Sequence, residues 1–371
     1  MELNNILEIR LKTQGISSNL FNSPEDVVSS MGAIQAQDYQ SALYAIALRS
    51  KKGTTKKDVE TVISNHKIIR TWLMRGTIHF GRSSDIKYML NLFGPRLHKT
   101  AIRRDESLGL SNSTVEKTLT LFKNALKLKK QLSRKEMYSI MDKAGIPSKN
   151  NLGYHMLYRA AWDGLICFGS YQENEQTFML LEDCIPKKDN VMSREEAIKK
   201  LTLTYFTSHG PATIKDFVWW SGLTTSDAKL GIELSKEITS TQIEDTVFYL
   251  NKKFSNVKKQ EPSVYLLPAF DEYLISYSDR KIILEDKNTQ SLLKSGKLSL
   301  IHSNGIFKPI IVLNGKVVGT WKKQSYRNKV ALTNIMFKKL SKEENNLLLE
   351  SSKLYGNFIG SDLIIKTELL K

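Results

Sequence analysis

The chain is short of cysteine and histidine and has no long apolar run, and each shortage removes a class of function. Cys167 and Cys184 are its only cysteines, and they do not form a CxxC pair. A disulfide framework is therefore not expected, and a reducing cytoplasm is the expected compartment. The histidines, His66, His79, His98, His155, His209 and His302, show no metal-ligand spacing, so no metal site is expected. No Walker loop, dinucleotide fingerprint or GxSxG elbow occurs, and no cofactor is expected. No segment approaches the roughly 20 apolar residues of a membrane span. The opening stretch MELNNILEIRLKTQG carries both signs of charge and no apolar signal core.

Positive charge is what the chain has in excess. Lys plus Arg is 55 against 38 for Asp plus Glu, a net charge of +17. That balance favours a polyanionic partner, nucleic acid ahead of a membrane surface. A solvated basic surface is the bland alternative. With 371 residues, two or three domains are expected.

The first 80 residues read as mostly helical. Asn22-Ser23-Pro24-Glu25 is a helix start, with a capping residue, a proline whose missing N–H costs nothing, and an early acid. That helix should stop near Gly32, and Asp38 should cap the next, where Leu43, Ile46 and Ala47 recur at helical spacing. A third helix is expected near 55–66 and a strand at Ile78 and Phe80, following a tight turn at Gly76. Helices followed by a short hairpin make a winged helix, a variant of the helix-turn-helix. Residues 83–130 look largely helical. Capping boxes at Ser133/Glu136 and Ser193/Glu196 open two further helical modules. A turn at Gly210-Pro211, a helix over 228–238 and a strand over 246–250 follow. Beyond about 255 the chain turns rich in β-branched and aromatic residues, with a hairpin at Asn314-Gly315 and a final helix near 341–353. The expected fold is α+β: tandem winged-helix (helix-turn-helix) modules and then a β-rich C-terminal domain. Expected boundaries are 1–82, 83–190, 191–255 and 256–371.

The stretch GAIQAQDYQ falls between two helices. If extended, it turns Gln35 and Gln37 one way and Ala36 the other. Taken alone, such glutamines usually cap backbone groups or meet solvent. Four separated motifs change the reading: MGAIQAQDYQSALYAIALR, RTWLMRGTIHF, LLPAFDEYLISYSDR and NGIFKPIIVLNGKVVGTW. In this order they resemble the winged-helix DNA glycosylases of the AlkZ and YcaQ type over nearly the whole chain. The AlkZ-type branch is marked by Gln-x-Gln and the YcaQ-type by Gln-x-Asp. Gln35, Ala36 and Gln37 resemble the former, and Asp38 lies just beyond the pair.

That resemblance implies a glycosylase that excises alkylated bases, with some members unhooking interstrand crosslinks. Gln35 and Gln37 are then the expected catalytic pair, holding a water against the sugar. The expected partner is double-stranded DNA carrying alkylated bases, bound by a monomer that joins the nucleoid when on DNA. For Arg75 and His79 two readings stand level: Arg75 on a phosphate and His79 near the lesion, or a surface charge and a packed ring. Trp72 reads as core. For Asp271 and Glu272 two readings stand, acids without an evident partner or a structural role paired with Arg280. The β-rich segment 305–321 could supply a hairpin for a DNA groove, with Lys308, Lys316 and Arg327 on phosphates. The rival reading is a non-enzymatic winged-helix DNA-binding protein such as a transcription regulator. A protein-interaction scaffold leaves the charge unexplained.

Overall fold

Side-chain caps decide where most of the helices begin. The computed structural model describes residues 3–18, 20–172, 175–187, 192–255, 261–301, 307–326 and 329–370. Helix α1 (Leu3–Thr13) is followed by α2 (Pro24–Met31), where the Ser23 hydroxyl accepts from the Asp26 N–H and Pro24 occupies the first turn. A short strand β1 (Ile34–Gln35) leads to α3 (Tyr39–Arg49), capped by the Asp38 carboxylate, which accepts from the Ser41 N–H at 2.7 Å. Helix α4 (Lys56–Ser64) and strands β2 (Ile68–Trp72) and β3 (Ile78–Arg82) complete the order α-β-α-α-β-β.

After α5 (Ile86–Ser107) that order returns as α6 (Asn112–Lys129), β4 (Leu132–Ser133), α7 (Arg134–Lys143), α8 (Leu152–Trp162), β5 (Ile166–Gln172) and β6 (Glu175–Leu180). Its strands lie in the order β4-β6-β5, three helices with a wing hairpin. A third round comprises α9 (Arg194–Ser208), α10 (Ile214–Ser221), α11 (Thr225–Glu233), β7 (Ile238–Ile243) and β8 (Thr246–Asn251), with Ala212 bridged to Tyr249 in place of a first strand. The capping boxes of Ser133 with Glu136 and Ser193 with Glu196 are both formed. The helix expected over 228–238 starts and ends earlier. Thr224 caps it with Asp227, and the β-branched residues from Ile238 onward pair as β7 with β8.

The C-terminal part contains β9 (Val264–Leu267), α12 (Glu272–Ile275), α13 (Lys287–Lys294), β10 (Ile310–Leu313), β11 (Lys316–Ser325), β12 (Val330–Met336), α14 (Lys342–Ile359) and β13 (Leu363–Leu369). Its sheet runs β13-β12-β11-β10-β9. All neighbours are antiparallel except β12 and β13, which α14 connects in parallel. Asn314 and Gly315 both have positive φ, +50° and +82°, as a tight I′ hairpin requires. The fold is α+β, as the sequence implied.

Contacts divide the chain into two compact units, one of residues 1–61 with 198–371 and the other of 62–197. In the first, β10 is buried along its whole length, and Tyr44 of α3 meets Tyr355 of α14 edge-on at 4.8 Å. In the second, Trp72 is core, 4.4 Å from the Phe168 ring and edge-on to Tyr158 at 5.7 Å. Cys167 and Cys184 are buried free thiols with sulfurs 3.6 Å apart. Among the described residues, no helix is long and apolar enough to cross a membrane.

Gly76 sits at φ +76°, and its carbonyl accepts from the Tyr158 hydroxyl at 2.7 Å. A Cβ here would lie 2.0 Å from the Tyr158 oxygen and 2.9 Å from Trp162. Gly76→Ala should therefore lower stability by roughly 1–3 kcal/mol through backbone strain and overpacking, read as a lower urea midpoint.

Candidate active site

The Gln-x-Gln stretch is held from both sides. Downstream, Asp38 anchors it to the first turn of α3. Upstream, α2 ends at Gly32, whose φ of +78° turns the chain. Between them Ala36 is fully buried, Gln35 is half-buried and Gln37 is exposed. The chain is extended at Ile34–Gln35 and bends at Gln37, and both glutamines are more accessible than the Ala36 between them.

The backbone of Gln35 is fixed by a residue far along the chain. Its N–H donates to Oε1 of Glu272 at 2.7 Å. Glu272 is 1% exposed, and its other oxygen accepts from the Trp220 indole at 3.2 Å and from the Ser276 hydroxyl. The Nε2 edge of His209 lies 3.9 Å away. Burial alone would raise the Glu272 pKa; the His209 ring, the Ser276 hydroxyl and the Gln35 N–H outweigh it and hold the carboxyl at about 2. A fixed anion therefore lies directly behind the candidate catalytic strand.

Its neighbour Asp271 has a different partner from the one expected. Arg280 donates through Nε to the Leu274 carbonyl, whereas Asp271 forms a two-pronged pair with Arg49, Nη1 to Oδ2 at 2.9 Å and Nη2 to Oδ1 at 2.7 Å. Both partners are fully buried. Arg49 is the last residue of α3 and also donates to Ala45 carbonyl and Gln14 Oε1, both at 3.0 Å. Gln14 passes the network to Tyr277, whose hydroxyl donates to the His209 carbonyl. Helices α1, α3 and α12 are thus locked together around the strand that carries Gln35.

The expected cationic contacts fall out unevenly. Arg75 is exposed, in a left-handed turn at φ +53°, in the second unit. Of the two readings of His79, burial favours the packed ring: it is 1% exposed and its Nδ1 lies 2.8 Å from the Thr77 carbonyl. Lys316 carries a part-exposed ion pair, with Nζ 3.0 Å from Glu285. The Asn314-Gly315 turn does not project. The Tyr273 hydroxyl donates to the Gly315 carbonyl at 2.8 Å, and a Cβ on Gly315 would meet Leu7 at 2.5 Å. Lys308 is half-buried, and Arg327 lies outside the described residues. The opposite end of β11 is the exposed one: Lys322, Lys323, Tyr326 and Lys329 stand in solvent there. The basic, aromatic run TWKKQSYRNK was the sequence signal for it.

A family model described as DNA glycosylase AlkZ-like matches residues 28–358. The chain belongs to this family. It is a DNA glycosylase, which removes the footing of the non-enzymatic reading. It is 26% identical over 326 residues to an interstrand DNA cross-link repair glycosylase of Streptomyces sahachiroi, covering 84% of this chain and 85% of the relative. The solved structure of the S. sahachiroi DNA glycosylase AlkZ superposes with a TM-score of 0.79 at 19% identity, over 100% of this chain and 99% of that one, so the fold is shared end to end.

Two outcomes test how the glycosylase holds this strand. Asp271→Asn leaves the Arg49 guanidinium buried without its anion. It should destabilise the first unit by about 3–5 kcal/mol in urea unfolding, and the apolar pair Arg49→Met with Asp271→Leu should recover part of that loss.

Burial lowers the His209 pKa below its ordinary 6.5, against the opposing pull of Glu272. The unfolded chain thus binds the proton more readily, so this contribution to stability is whole above about 6.5 and declines as the pH falls below it. Glu272, depressed from 4.5 to about 2, adds a loss only below about 4.5. Urea midpoints measured from pH 7 to 5 should fall, and His209→Gln should flatten that slope.

Proposed function

We propose that this glycosylase hydrolyses the N-glycosidic bond of cationic N-alkylated purines such as N7-alkylguanine, with a water held by Gln35 and Gln37. The observation that carries the reading is the short Gln-x-Gln segment, with Gln35 half-buried, Gln37 exposed and the Gln35 backbone fixed by the buried Glu272 anion. The name of the S. sahachiroi relative supports extending the substrate class to crosslinked DNA.

The chemistry suits neutral amides. Glycosidic cleavage passes through an oxocarbenium-like sugar. A guanine alkylated at N7 is already cationic, so it departs without being protonated. The water oxygen bonds to C1′ as the C1′–N9 bond breaks. The electron pair leaves with the base and neutralises it, and the proton released by the water passes to solvent. What the protein supplies is placement of the water and a dipole toward it. Amides are poor bases, so intact neutral bases gain little from them. Lys12 and Lys51 are the lysines nearest the pair in sequence, and direct water attack without a Schiff base follows. Exposed Arg75 and the Lys322, Lys323 and Lys329 tip would contact phosphates and set most of the affinity.

The test is release of free base from duplex DNA bearing N7-methylguanine. Gln37→Ala and Gln35→Ala should each slow release by about 100-fold or more while gel-shift affinity stays within roughly twofold. The double variant should be little worse than either, because the pair acts on one water. Variants that melt early yet keep their turnover per folded molecule would make the glutamines structural.

A further inference from the structure

An edge strand leaves every second residue with a backbone N–H and C=O that no neighbouring strand takes. The C-terminal sheet has two edges, and they differ. β9 is four residues long and buried but for Tyr265. β13 is seven residues long and mostly exposed. It pairs in parallel with β12, where the Val330 N–H donates to the Asp362 carbonyl and the Leu370 N–H to the Met336 carbonyl. Backbone groups alternate in direction along a strand. Ile364, Lys366, Glu368 and Leu370 are therefore turned toward β12, and Ile365, Thr367 and Leu369 present their N–H and C=O outward. Among the described residues, no strand pairs with that outward edge.

A lysine on an open edge ordinarily keeps other strands away. Here Lys366 is answered by Glu368, two residues on and on the same face of the strand. Among the described residues neither side chain forms an ion pair. Apolar side chains are open along the same edge, Ile364 at 42% and Leu369 at 49% exposure.

We infer that β13 is a self-association edge, on which a second copy of this chain pairs antiparallel about a two-fold axis at Thr367. The outward groups of Thr367 then meet those of Thr367 of the second copy, and Ile365 meets Leu369, as hydrogen-bonded pairs. Lys366 falls opposite Glu368 of the second copy on both sides of the axis. These are non-hydrogen-bonded positions, where side chains approach most closely. Ile364 meets Leu370 on the same face, so the exposed Ile364 and Leu369 each gain an apolar partner. Moving the axis by one residue either way sets Lys366 against Lys366 or Glu368 against Glu368, and like charges directly opposite are unfavourable. The charge order thus selects both the partner and the register. A two-fold contact of this kind closes as a dimer instead of growing into a fibre. The dimer replaces the monomer expected from the sequence.

Sedimentation velocity over about a hundredfold range of concentration should show a reversible monomer–dimer equilibrium, in roughly 0.15 M salt to screen the net charge of +17. Lys366→Glu sets a carboxylate against Glu368 of the other copy and should weaken the dimer roughly 3- to 30-fold, as should Glu368→Lys. Lys366→Glu combined with Glu368→Lys restores opposite charges and should dimerise like the unaltered chain. Thr367→Pro removes an outward N–H and no bond to β12, so it should abolish the dimer, with an unchanged urea midpoint showing that it is folded. A chain that is monomeric at every concentration refutes the inference and leaves the edge to a strand of another protein. A dimer that persists in the folded Thr367→Pro variant, or that the double charge reversal fails to regain, refutes the pairing about Thr367.

Discussion

Two adjacent carboxylates, Asp271 and Glu272, are buried together, and the first unit is organised around making that tolerable. An isolated buried carboxylate is several kcal/mol unfavourable. The two are compensated differently. Asp271 meets a full countercharge in Arg49, while Glu272 is surrounded by an N–H, an indole and a hydroxyl. The first arrangement ties α12 to the C-terminal end of α3. The second ties α12 to the strand that precedes α3. An 11-residue helix is thus fixed at both ends, and the glutamines sit at the junction.

This division bears on why the pair is neutral. A carboxylate in place of Gln37 would add negative charge to a segment that Asp38 follows and the buried Glu272 backs. On the proposed reading the amides position the water by their dipoles, and the fixed negative charge of Glu272 lies behind the strand. Such a site has little power to force a poor leaving group. On that reading selectivity comes from the lesion itself, since a base that leaves readily is the one such a site would release.

Much of the fold was legible in the sequence because it is encoded locally. Ser23, Asp38 and Ser133 cap helices through bonds spanning three residues, and Asn314-Gly315 forms its turn within two. What could not be read is non-local. Glu272 lies 237 residues from Gln35 and Asp271 lies 222 from Arg49, and nothing in AFDEY distinguishes Arg49 from Arg280 as the partner. The ion pair of Lys316 with Glu285 and the burial of His79 are likewise products of packing. Strand β13 escaped notice because it is an edge strand with mostly exposed side chains, so it lacks the clean alternation that marks a half-buried strand. The Gln-x-Gln pair was legible as a motif, but the anion behind it was not.

Helix α12 shows how a short element can carry a site. Four residues cannot satisfy their own backbone, so both ends must bond to other parts of the chain. At the N-terminal end the Asp271 carboxylate accepts from the Tyr273 N–H while also holding Arg49. At the C-terminal end the free carbonyls are taken by Arg280 and Trp219. The unsatisfied groups of a minimal helix thereby become fixed points. One end orients the strand of Gln35, and the other orients an indole face and a guanidinium. A longer helix would have bonded these carbonyls internally and left the Trp219 ring free to rotate. Preorganisation here follows from a helix too short to satisfy itself.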